Sequence, residues 1–137
     1  MEIILDYSKW ICGERAQIGS LGQGERRVLW NDYGYGCILG HVCLSCGASQ
    51  EEILNCPLPT KKNEVLKKTV EVYSGIRCKL TNLNDLSWIN IRDENGVIIK
   101  HIEDPMPQQR IEEIRKVFES KGHTLKVINM PIEEVIA

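Results

Sequence analysis

Apolar and polar positions change their period several times along this chain, and each change predicts an element. Residues 2–7, EIILDY, form a short apolar, β-prone run that predicts a strand. Four glycines (Gly13, Gly19, Gly22, Gly24) then punctuate GERAQIGSLGQG, which reads as a loop. In ERRVLWN, residues 25–31, Val28 and Trp30 alternate against Arg27 and Leu29, predicting a second strand, and NDYGYG predicts a turn. From Cys37 the apolar spacing becomes helical through Ile38, Leu39, Val42, Cys43 and Cys46. Gly47 is placed to end that helix, and Ser49 to cap a second short one, because S-Q-E-E fits a capping box.

Beyond this point NCPLPTKK is a loop, with Pro57 and Pro59 excluding regular structure. EVLKKTVEVY fits either a helix or a strand. Residues 86–103 predict a hairpin, LSWINIR and VIIKHIE flanking DENG, since Asn95-Gly96 favours positive φ and β-branched residues stand on both sides. The pattern then predicts a helix with Asp104 as N-cap and Pro105 at its first position. Its apolar stripe is Ile111, Ile114, Val117 and Phe118; Gly122 ends it, and TLKVINM predicts a last strand. Together these elements predict an α+β fold, a single small domain over residues 1–137. A short mixed or antiparallel sheet would pack against two or three helices.

Composition narrows the function classes. Apolar residues make up 42% and charged residues 26% of 137, ordinary values for a chain that buries a core without metal or disulfides. A net charge of −2 with interspersed signs argues against a broad nucleic-acid face. No apolar run reaches membrane-spanning length, and the N-terminus lacks the pattern of a signal peptide. Six cysteines without a secretion signal predict free thiols in a reducing, cytoplasmic setting.

Candidate chemistry concentrates in LWNDYGYGCILGHVCLSCGAS, residues 29–49. Cys43-x-x-Cys46 has metal-ligand spacing, and Cys37, Cys56 or His41 could complete a set, but a second short-spaced pair is missing. Core packing of these thiols is the simpler reading, a redox Cys-x-x-Cys the less favoured one. We assign no metal, no cofactor and no catalytic residue; the histidines stand beside no recognisable nucleophile signature. A ligand site is placed instead where glycines, arginines and aromatics converge. Seven of eleven glycines lie between Gly19 and Gly47, with Arg26 and Arg27 for an anion and Trp30, Tyr33 and Tyr35 for a planar ring. Asn31 would add hydrogen bonds, and Arg92, beside Trp88 and Asp93, is the fallback cation. The bland alternatives are a flexible loop and a tight turn whose tyrosines cover the core edge.

Short motifs also carry a resemblance. Trp10-x-x-Gly13, the LGQG loop, Leu29-x-Asn31, Gly36, Cys37-x-Leu39-Gly40, Gly47 and Glu52-x-Leu54 follow one another in order. The series resembles a group of small uncharacterised bacteriophage and prophage proteins with W-x-x-G, LGxG and C-x-L-G motifs. Their Ile-Asn-Asp segment is imperfect here, as Ile91-Arg92-Asp93 or Ile102-Glu103-Asp104. The resemblance implies a phage origin and a helix near residues 83–89, in competition with the hairpin.

These readings lead to the expectation of a cytoplasmic phage-type accessory protein, a non-enzymatic binder. It would block a host defence protein or sequester a small nucleotide-like ligand, an anti-defence role with room for a homo-oligomer. An enzyme acting on a nucleotide or ADP-ribose, and a zinc-stabilised interaction module, are the alternatives.

Overall fold

The structure, a computed structural model, describes residues 1–13, 28–56 and 64–130. It has the α+β composition expected, built from two separate strand pairs and five α-helices among the described residues.

Strand β1 (Glu2–Asp6) pairs in parallel with β4 (Thr124–Ile128), in the register Glu2↔Thr124 to Asp6↔Ile128. Alternation puts Ile3 and Leu5 inside and leaves Ile4 outside, as a half-covered strand requires. Helix α1 (Ile38–Ser45) packs on β1 and helix α5 (Pro107–Glu119) on β4. Short helix α2 (Gln50–Ile53) follows α1 and carries the expected capping box: Ser49 Oγ accepts from Glu52 N, and Ser49 N donates to Glu52 Oε1. Helix α3 (Glu64–Tyr73) settles the ambiguous EVLKKTVEVY as helical. Helix α4 (Arg77–Asp85) leads into the hairpin of β2 (Trp88–Arg92) and β3 (Ile98–Glu103). Ile111, Ile114 and Phe118 are buried, and Val117 is half-buried beside them.

Three expectations need correction. The strand predicted over 25–31 is not formed by its described part: Trp30 makes only isolated bridges, to Gly36 and Leu54. Asn31 causes this, because its side-chain Oδ1 accepts from Tyr33 N and Tyr35 N and turns the chain at once. The last helix begins two residues later than predicted, with Met106 as N-cap and Pro107 at the first position. Asp104 is left-handed (φ 47) and donates its backbone N–H to the Ser87 carbonyl, closing the hairpin instead of capping a helix. Third, the hairpin occupies residues from Trp88 onward, so the helix implied near 83–89 ends at Asp85.

Gly40 sits inside α1, where glycine normally weakens a helix. A Cβ there would run into the backbone carbonyl of Leu29, and one at Gly36 would strike the same carbonyl and the Trp30 ring. The two glycines thus let α1 and the 29–36 turn approach backbone to backbone.

Candidate functional site

The W-x-x-G motif is explained by one buried side chain, Asn84, on α4. Its Oδ1 accepts from Trp10 Nε1 (2.7 Å) and from the Ile38 backbone N–H (3.0 Å). Its Nδ2 donates to the Ile11 carbonyl (3.1 Å) and to Asp85 Oδ1 (2.7 Å). The Asn84 carbonyl accepts from Gly13 N (2.7 Å). The amide is therefore fully used, as a buried polar group must be. It also serves α1: Cys37, the N-cap, makes no side-chain cap bond, and Asn84 satisfies an N–H of the first turn from across the core.

Pinning Trp10 and Gly13 this way makes one wall of an open groove of about 630 Å³. Tyr7, Trp10 and Tyr35 supply aromatic surface, the first two rings meeting edge-on at 6.0 Å between centroids. Asp104, exposed, also lines it, with Pro105, Pro107 and the buried Arg110. The Arg110 guanidinium is buried and donates to the Leu83 (2.8 Å) and Leu86 (2.5 Å) carbonyls, tying down the end of α4. Burial lowers its pKa, against the pull of Cys12, Asp85 and Asp104 nearby. Gly13 has φ +69, and a Cβ there would come to 3.2 Å from Arg110 Nη2, so the glycine admits the guanidinium to the wall.

Of the residues singled out in the sequence, the described ones do not gather on one open surface. Arg26 and Arg27 lie outside the described residues. Trp30 is 1% exposed, with its ring 5.2 Å from that of His41, and so offers no open face to a ligand. Asn31 is buried with its Oδ1 spent on the turn. Tyr33 is 60% exposed and Tyr35, half-buried, reaches the groove. Arg92 lies on the hairpin, its Nη1 donating to the Gly96 carbonyl (2.8 Å) and its backbone N–H to Glu113 Oε1 (2.9 Å). Sequence reasoning missed Tyr7, Asp104 and Arg110 as neighbours; the W-x-x-G spacing and the doubled proline at 105 and 107 were the available signals.

Cys37 and Cys43, at the start and in the body of α1, are poor nucleophiles. Burial pushes Cys37 up to about 11 and Cys43 up to about 12, so neither is a thiolate near neutrality. Among the described residues no group of three or more His, Cys, Asp or Glu side chains is arranged to hold a metal ion, and no disulfide is formed. No helix among them is long and apolar enough to cross a membrane.

A second organised surface lies on the outer face of the hairpin. His101 Nδ1 is 2.9 Å from Asn90 Oδ1, its Nε2 is 2.8 Å from Glu103 Oε1, and its ring stacks obliquely on Trp88 at 5.3 Å. All of these side chains but the half-buried Asn90 are exposed.

No family profile matches the chain, and no curated protein or solved structure matches it either.

Proposed function

We propose that this chain is a phage-type accessory protein of the host cytoplasm that binds a planar, nucleotide-like ligand without transforming it, and so withholds a signal from host defence. The observation that carries this reading is the groove, which Tyr7, Trp10 and Tyr35 line together with an exposed aspartate, Asp104. A volume of about 630 Å³ falls within the usual range for small-molecule sites. Aromatic walls take a flat heterocycle, and a carboxylate accepts from adjacent ring N–H and amino groups, the hydrogen-bonding edge of a guanine-type base.

Titration calorimetry of the purified chain with guanosine, adenosine and uridine monophosphates tests this reading. Guanosine monophosphate should bind best. Tyr35→Ala should weaken it about tenfold through lost stacking. Asp104→Asn, which tolerates the same positive φ, should erase the preference for guanine. A ligand recovered unchanged after heat denaturation separates a binder from an enzyme. Absence of binding to all three at millimolar concentration overturns the reading.

A further inference from the structure

We propose that the open edge of β3 pairs with β3 of a second copy, antiparallel and with Ile102 on the two-fold axis, to make a four-stranded sheet. The topology leaves this edge available. Among the described residues the hairpin is a sheet of two strands; β2 packs against α4 and α5, whereas the substantial contacts of β3 are all with β2. A two-stranded ladder is marginal in water and gains from further strands.

The ladder fixes which residues face outward. Asp104 N donates to the Ser87 carbonyl, and the register runs Trp88↔Glu103, Ile89↔Ile102, Asn90↔His101, Ile91↔Lys100. In an antiparallel pair, hydrogen-bonded and non-bonded positions alternate. Ile102 and Lys100 therefore turn their N–H and C=O groups to β2, and His101 and Glu103 turn theirs to the open edge. A second β3 bonded to that edge must pair odd-numbered residues with odd.

Side-chain chemistry then selects among the registers this permits. With Ile102 opposite Ile102, His101 of each copy exchanges both backbone bonds with Glu103 of the other. Their side chains, an imidazole and a carboxylate, come to lie side by side. Lys100 meets Asp104 at the end of the ladder. Two half-exposed Ile102 side chains cover each other at the centre. A slip by two residues puts His101 on His101 and Lys100 over Ile102, and a slip the other way puts Glu103 on Glu103 and Ile102 over Asp104. Like charges directly opposite are destabilising. The chosen register also ends before the bulge at Ile99, which would break a longer pairing. Lys100 and the bulge are devices that discourage indiscriminate edge pairing, and only this register turns the lysine into a partner.

Analytical ultracentrifugation of the full chain should give a dimer whose mass falls to that of a monomer on dilution. His101→Glu should weaken the dimer tenfold or more by placing two carboxylates side by side across the axis. Glu103→Arg should also weaken it by taking the carboxylate away from the imidazole, and the double variant, which sets opposite charges side by side, should restore it. Both positions are exposed, so neither change removes a core contact. Register is read separately by oxidising Ile102→Cys, which should give a covalent dimer through position 102 in peptide maps, whereas His101→Cys should not. Wild-type protein that stays monomeric at millimolar concentration, or a dimer indifferent to both single charge changes, overturns the proposal. Amides of His101 and Glu103 that remain unprotected from exchange at all concentrations would also overturn it and leave the edge to a foreign strand.

Discussion

The two strand pairs of this protein are opposites. β1 and β4 come from opposite ends of the chain, run parallel, and are covered by α1 and α5. β2 and β3 are neighbours in sequence, run antiparallel around the five residues 93–97, and leave β3 exposed except for half-buried Ile102. The first pair cannot hold itself: parallel strands need a crossover, and here the crossover is the rest of the fold. Its position is set by what packs on it. The second pair is set by its own turn, where Asp93 Oδ1 accepts from Asn95 N and Val97 N and Gly96 takes φ +82. A locally specified element does not need to bury both faces, so the hairpin has surface to spend on recognition.

The comparison is broken most severely through the asparagines. Asn84 and Asn90 are both hydrogen-bonded, but only Asn84 is buried completely. Asn84→Ala strands the Trp10 indole N–H and the Ile38 amide, each at about 1–3 kcal/mol, and loosens the groove wall besides. We expect about 3–5 kcal/mol of lost stability in urea unfolding. Asn90→Ala should cost less than about 1 kcal/mol, because water replaces what it gave. Equal losses would mean that the hairpin is as integral as the core.

Legibility in the sequence follows the same division. The hairpin, the Ser49 box and the Phe118 stripe were readable because their causes lie within a few residues: a turn dipeptide, a cap, a helical repeat. Helix α4 was not, since its buried Asn84 answers to Trp10 and Ile38, far along the chain. Alternation predicts a strand over 25–31, and in its described part, residues 28–31, a single side chain, Asn31, overrides it. The site suffered most. Trp10, Tyr35, Asp104 and Arg110 come from four segments, and no local pattern unites them. Proximity in sequence pointed instead to Trp30, an aromatic the fold keeps for its core.

A smaller effect, and one that titrates, belongs to the buried half. His41 Nδ1 lies 2.9 Å from the Cys37 carbonyl and carries the proton toward it, and the whole ring is buried. Burial lowers the pKa of this imidazole below its ordinary 6.5. The unfolded chain therefore takes up a proton near that pH which the folded chain refuses. Stability is complete above the unfolded value, falls as the pH drops through it, and levels off below the folded value. The slope contributed is at most about 1.4 kcal/mol per pH unit. Urea midpoints at pH 7 and pH 5 should drop in the wild type and drop less in His41→Phe. His123, also lowered by burial, and by the N-terminal ammonium, adds a fall of the same sign that persists in both. A variant with the full wild-type fall would assign the effect elsewhere.

The smallest effect sharpens the hairpin side. Trp88, Asn90, His101 and Glu103 make an ordered cluster on an open face, and order without burial is cheap to remove. A double-mutant cycle over Trp88→Ala and His101→Ala isolates the ring contact. Cross-strand pairs of this kind contribute about 0.2–1 kcal/mol, so the coupling should fall in that interval. Each single change should also stay modest, because Ile89, the hairpin's buried residue, is untouched. A coupling above about 2 kcal/mol would show that the outer face helps to hold the fold, and its exposed residues could not then be read as surface kept for a partner. A coupling within the interval leaves the Trp88–His101 pair doing what its geometry suggests. It holds the imidazole at a fixed angle above β3, so that the edge meets another strand already arranged.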